Sequence, residues 1–271
     1  MAEMSKTNEQ PKRESNLFSI LVIPVCLIVC WLIYIYVFGN PNNFLNNDIN
    51  NNPKEGNYLG IVYKGGVIVP ELMALFLIVI VFTIERMLTI SKAKGSGNVD
   101  DFLRVVKSSL EKNDLKTAIS ACDDQKGSVA NVVRATLKKY GAMESETGMN
   151  KDQKIAAIQK EVEEATSLEL PMLEKNLVFL ATIASVATLV GLLGTVVGMI
   201  KAFAALAIAG NPDATALATG ISEALINTAL GILTSAIAVI MYNYFTTKID
   251  GLTYRIDEAG VTIAQSFAAK H

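Results

Sequence analysis

GLLGTVVGMIKAF, residues 191–203, decides how this chain is read. It is almost wholly apolar, yet it carries glycine at 191, 194 and 198, a hydroxyl at Thr195 and a charge at Lys201. Glycine inside a helix costs roughly 1 kcal/mol against alanine. Three within one short run therefore argue for a contact that needs bare backbone.

The stretch lies within LVFLATIASVATLVGLLGTVVGMIKAFAALAIA, residues 177–209, whose only charge is Lys201. Three more apolar runs resemble it. Residues 17–38 have no charge, 65–87 carry Glu71 near the start and a Glu85–Arg86 ion pair at the end, and 221–245 carry only Glu223. Each is about as long as the ~20 residues a helix needs to cross a hydrocarbon core. In lipid a backbone must satisfy its own hydrogen bonds, so helices are expected. The run 17–38 exceeds a signal-peptide core, and no small-x-small site follows it, so it reads as an uncleaved helix.

Composition agrees. Of 271 residues, 51 % are hydrophobic and 18 % charged, where soluble domains carry about a quarter charged residues. Mean hydropathy is +0.36. Net charge is −2, so nothing argues for nucleic acid as a partner, while the apolar, charge-poor composition argues for the lipid bilayer. Cys26, Cys30 and Cys122 form no framework, and the only histidine is His271. No metal cluster, cofactor fingerprint or Walker motif appears, so no enzymatic activity is expected.

Positive charge orients the crossings. Lys and Arg gather in 1–16, just after the second apolar run, and beyond 245, while 210–219 has none. Both termini are expected to be cytoplasmic. The sequence divides into a cytoplasmic N-terminus 1–16, an extra transmembrane helix 17–38, an Asn-rich periplasmic loop 39–64 and a transmembrane helix 65–87. A helical cytoplasmic domain 88–176, an inner transmembrane helix 177–209, a periplasmic loop 210–219, a second inner helix 220–245 and a cytoplasmic tail 246–271 follow. The fold class is an all-α integral membrane protein with helical cytoplasmic extensions. Within 88–176, helices are expected over 100–113, 114–124, 127–142 and 151–170, with Pro171 kinking the chain before the membrane.

Steps of four and three place Ala184, Thr188, Gly191, Thr195, Gly198 and Ala202 on one face, and Ala224, Thr228, Gly231, Ser235 and Ala238 on another. Such stripes let membrane helices approach closely. With Gly194, the glycines at 191, 198 and 231 are the packing candidates. The residues leave two readings open: a tight helical hairpin, or two matched faces lining a polar path. Glu223, Asn227 and Lys201 are the polar groups near the outer end, and an ionisable group inside a membrane is a functional hypothesis by default. No acid lies at mid-depth between 177 and 245, so a proton path would take its central carboxylate from another chain.

The run 168–203 followed by 221–245 resembles the ExbB/TolQ family, relatives of the stator protein MotA, and is most like ExbB. The resemblance covers about 65–255 and rests on the LGLLGTV and EAL..TA.G patterns. It implies a pentamer whose last two helices line a central pore. It also implies a single-helix partner, ExbD- or TolR-like, that supplies a membrane aspartate, and proton flow that drives a TonB-like protein or the Tol–Pal system in the inner membrane. By position in the motifs, Thr195 and Thr228 are the pore threonines and Glu223 the family glutamate. Thr188 stands where the family commonly has proline, Lys201 adds a charge, and 17–38 precedes the usual first helix. A TolQ-like or motility-motor role, and a non-conducting membrane scaffold, are the alternatives.

Overall fold

The apolar runs become helices because nothing else satisfies a backbone in hydrocarbon. A computed structural model describes residues 17–207 and 214–270. The expected N-terminus 1–16, the end of the third apolar run, residues 210–213 of the expected 210–219 loop and His271 lie outside the described residues. Among the described residues the fold is all-α, with one isolated β-bridge between Phe44 and Pro53. The helices are α1 (Leu17–Ile33), α2 (Tyr58–Tyr63), α3 (Val69–Lys94), α4 (Val99–Glu111), α5 (Leu115–Gln125), α6 (Gly127–Ser145), α7 (Lys151–Glu174), α8 (Leu177–Leu206) and α9 (Ala214–Lys270). Four stretches are long and apolar enough to cross a membrane, beginning at Ile20, Val69, Leu177 and Ala214. The chain is a multi-pass helical membrane protein.

α1 continues as a π-helical turn over Tyr34–Phe38. The Asn-rich segment is built rather than slack. Asn43 donates to the carbonyls of Val37 and Phe38 at 2.8 and 2.9 Å, capping the end of the first crossing. Asn57 donates to Asn43 Oδ1 at 3.0 Å and caps α2 through Gly60 N. Phe44 is fully buried. Lys64 bonds the carbonyls of Ile49 and Asn50, and burial pushes its ammonium below the ordinary range against the pull of Asp48.

α3 begins with Pro at an early position and Glu71 in its first turn, and ends with Lys92 and Lys94 in its last, which suits the helix dipole at both ends. α4, α5 and α7 each start at a side-chain cap, from Asn98, Asp114 and Asn150, the last forming a capping box with Gln153.

Two boundaries differ from the sequence reading. α7 runs through Pro171 and breaks later, at Lys175 and Asn176, where Asn176 is left-handed at φ 67°. A proline loses only its own N–H, and α7 ends a few residues beyond it, so few bonds are at stake. Arg86, buried in α3, bonds the freed carbonyls of Met172 and Leu173 at 3.3 and 3.1 Å. Its neighbour Glu85 accepts from Asn176 at 3.2 Å and pairs with Arg86. The second difference is α9. It is one helix of 57 residues that begins inside the expected 210–219 loop and absorbs the expected tail. At 1.5 Å per residue it is about 85 Å long.

α9 is the common partner of α3, α4, α6, α7 and α8, and α1 packs on α3. Below the crossings, Phe245, Ile249, Ile256, Ile263 and Phe267 of α9 are buried among residues of the α4–α7 group such as Leu137, Tyr140 and Ile158. Tyr140 meets Phe267 edge-on, with ring centroids 5.1 Å apart.

Candidate functional site

The site is the seam between α8 and α9. Small residues remove the side chains that would hold two helices apart, so their backbones nearly touch. A Cβ at Gly191 would sit 2.9 Å from the Asn227 carbonyl oxygen and 3.1 Å from Gly231 Cα. At Gly231 it would lie 2.7 Å from the Ala187 carbonyl oxygen, and at Gly198 2.7 Å from that of Gly220. At Gly194 it would run into the Asn227 side chain. The register descends on α9 as it rises on α8, so the two helices are antiparallel. Ser235 closes one end by donating to the Ala184 carbonyl.

The buried line on α8 is Ala187, Gly191, Gly194, Gly198 and Ala202. The expected stripe shares 191, 198 and 202 with it but lies partly one residue around the helix. Thr188 is exposed, away from the seam, and Thr195 is half-buried on its flank. Thr195 donates to the Leu192 carbonyl at 2.6 Å and Thr228, also half-buried, to that of Ala224 at 3.3 Å. Both hydroxyls thus spend their protons on their own helices and leave lone pairs free. Each borders the seam within about a turn of the Gly194–Asn227 contact.

About two turns along α9 from the Ala187–Gly231 contact, at Glu223, the seam turns polar. Lys201 Nζ lies 2.6 Å from Glu223 Oε1. The Glu223 side chain is 9 % exposed and that of Lys201 49 %. Asn227, one turn on, is fully buried and donates to the Gly65 carbonyl at 2.9 Å. Its Oδ1 has no partner among the described residues, and neither has Glu71 Oε2. Gly66, at φ +82°, lies directly over the Glu223 carboxylate, where a Cβ would clash with it. Only glycine combines that backbone angle with that clearance.

The Gly65–Gly66 turn was missed in the sequence reading. The dipeptide before VIVPEL was its one signal. Its setting explains the extra N-terminal helix. Tyr34 stacks on Tyr63 with centroids 4.7 Å apart and donates to the Tyr63 carbonyl at 2.9 Å. The first crossing thus braces the turn that covers Glu223. Glu223 and Asn227 are brought together as expected from their spacing, and Lys201 joins them. Within the chain all three sit at a three-element junction, while Thr188, Thr195 and Thr228 lie on the less covered side.

A multi-pass helical bundle with a glycine-tight inner pair and a charged junction at one end is the class this fold defines. Residues 124–258 match the family described as the MotA/TolQ/ExbB proton channel family. The chain is 34 % identical to the Tol-Pal system protein TolQ of Pseudomonas aeruginosa over 146 residues, 54 % of this chain and 62 % of that protein. It is 28 % identical over 195 residues to a putative biopolymer transport protein ExbB homolog of Methanothermobacter thermautotrophicus, covering 72 % of this chain and 65 % of the relative. It is 39 % identical over 84 residues to the biopolymer transport protein ExbB of Pseudomonas putida, 31 % of this chain and 26 % of the relative. The chain spans less than two thirds of the length of these relatives. This chain belongs to the MotA/TolQ/ExbB family, whose members are channel and transport subunits rather than enzymes. Relatives named TolQ and ExbB both occur, so the likeness does not single out ExbB.

Proposed function

We propose that this chain is the channel subunit of a proton-driven motor in a bacterial inner membrane, and that Thr195, Thr228 and Glu223 border its proton route. The observation that carries this reading is the inner pair. Within the two apolar runs 177–209 and 221–245 the only charged groups are Lys201 and Glu223, and they meet at one end of the seam. A route past the rest of α8 and α9 has hydroxyls but no titratable relay, which a proton path through a bilayer needs. The relay carboxylate is then the aspartate of a single-helix ExbD- or TolR-like partner, held inside a homo-pentamer. Both termini and 88–176 face the cytoplasm, and 39–64 and 210–219 face the periplasm, in line with the distribution of Lys and Arg.

The motor reading has two outlets. One is an ExbB role with a TonB-like protein, energising outer-membrane transport. The other is a TolQ role in a Tol–Pal system, supported by the 34 % identity over 146 residues to the Pseudomonas aeruginosa protein.

The test is native mass spectrometry of the protein co-expressed with its neighbouring single-helix gene product, followed by proton flux in liposomes. Five copies holding two partner helices, with flux that needs the partner aspartate, supports the motor. A monomer without a bound partner and without flux returns α8 and α9 to ordinary helix packing in a scaffold.

A further inference from the structure

Two grooves run along α9 where it leaves the apolar crossings. One, of about 960 Å³, lies between α9 and the end of α3 with the start of α4. Met87, Ile240 and Tyr244 supply its exposed apolar surface, Lys94, Lys248 and Arg255 its positive charge, and Asp100, which pairs with Arg255, its one acid. The other, of about 440 Å³, lies between α9 and the α7–α8 break. Val178 is its exposed apolar residue, and Glu174 and Asp250 its charges.

Lys94, Lys248, Glu174 and Asp250 are all exposed, and none has an ion-pair partner among the described residues. Lys248 lies only against the Tyr244 ring, 5.5 Å from its centroid. Arg255 already holds Asp100 and Glu258, each at 3.0 Å. The free cations therefore stand on one flank and the free acids on the other.

The geometry is stricter than charge alone. Lys248 and Asp250 are two residues apart on one helix, so they differ in height by about 3 Å and in direction by roughly 160°. One chain thus carries a basic flank and an acidic flank back to back and level. Surfaces that differ and lie on opposite sides join head to tail, and an offset of about 3 Å is within the reach of a lysine side chain, so it is compatible with an array that closes as a ring.

We propose that these flanks are the two halves of an interface between copies of this chain, with Lys94 and Lys248 of one copy meeting Glu174 and Asp250 of the next. The inference rests on the ring assembly proposed above and names the contacts that close it. Opposite charges at the edge of an apolar interface suppress wrong registers as well as attract the right one.

The test uses the full chain, purified in detergent supplemented with phosphatidylglycerol as the anionic phospholipid and weighed by native mass spectrometry. Lys94→Glu with Lys248→Glu, and separately Glu174→Lys with Asp250→Lys, are each expected to lower the ring fraction at least tenfold. All four changes together are expected to return it to within twofold of the wild type. Circular dichroism confirms that each variant remains helical, and the milder pair Lys248→Gln and Asp250→Asn gives an intermediate loss without charge reversal. Wild-type protein that forms no ring overturns the assembly on which the inference rests. A wild-type ring that every variant retains overturns the interface and leaves the assembly standing. Loss of a bound anionic phospholipid with the basic-flank variant alone, with no effect of the acidic-flank variant and no rescue, assigns the basic groove to a lipid headgroup and also overturns it.

Discussion

Lys201 and Glu223 form a 2.6 Å ion pair that ties α8 to α9, and its two ends are unequally buried, 49 % exposed for the lysine side chain and 9 % for the glutamate. The carboxylate therefore depends on the pair more than the ammonium does.

Lys201→Met is expected to destabilise the protein by about 1–2 kcal/mol, below the cost of breaking a fully buried pair because the lysine is half in contact with its surroundings. Glu223→Gln should cost less, since a neutral amide tolerates burial. The double variant should recover much of the Lys201→Met loss. Thermal unfolding in detergent measures all three, and strict additivity would show that the pair contributes nothing to the fold.

Thr195→Val with Thr228→Val keeps shape and removes two hydroxyls that bond only their own helices. Stability and assembly are expected to stay within about 0.5 kcal/mol of the wild type. Energised transport is expected to be lost. Normal flux through an intact assembly of this variant would remove both threonines from the proton route.

Gly194→Leu drives a branched side chain into Asn227. Overpacking of this kind costs typically about 1–3 kcal/mol, and here the neighbour is itself anchored to Gly65. The expected outcome is loss of assembled protein from the membrane. Gly66→Ala acts on the same junction from the other side, by its φ of +82° and its contact with Glu223, and should lower the melting temperature without preventing insertion. Wild-type yields of complex from Gly194→Leu would contradict the close approach of the seam.

Asp114 caps α5, accepting from the Thr117 hydroxyl at 2.6 Å and the Thr117 N–H at 3.0 Å. The hydroxyl bond, then the backbone bond, hold its carboxyl below the ordinary value of 3.8. A depressed acid stabilises the fold above its unfolded pKa and loses that contribution as pH falls through the lower folded value. Protection of the first α5 amides from hydrogen exchange should therefore drop in acid below about pH 4. Asp114→Ala should lower that protection at neutral pH and flatten the acid response. Unchanged protection at both pH values would show that the cap is idle.

Much of this was legible in the sequence because lipid leaves few choices. Four long apolar runs had to be helices, and the cap residues Asn98, Asp114 and Asn150 stand where the soluble helices begin. The extent of α9 was not legible, since the sequence reading gave 210–219 to a loop for want of positive charge, whereas the helix already begins at Ala214. Nor was the side on which the small residues make contact. A band that includes Ala187, Thr188, Gly191, Gly194 and Thr195 is wide enough to hold a seam and its flank, and composition does not say which edge the neighbour takes. The junction over Glu223 needed Gly65 and Gly66, which lie far away in sequence and touch α9 only in the fold.

The unbroken length of α9 has a mechanical consequence. Its hydrogen-bond ladder runs from beside Glu223 to the layer that holds Phe267, with no hinge at which an angular displacement could be absorbed. Pivoted at mid-length, a rod of about 85 Å turns a tilt of about 5° into a sweep of roughly 4 Å at either end. A tilt imposed at the Lys201–Glu223 end would reach the helices around Tyr140 as a displacement, with no hinge in α9 to absorb it.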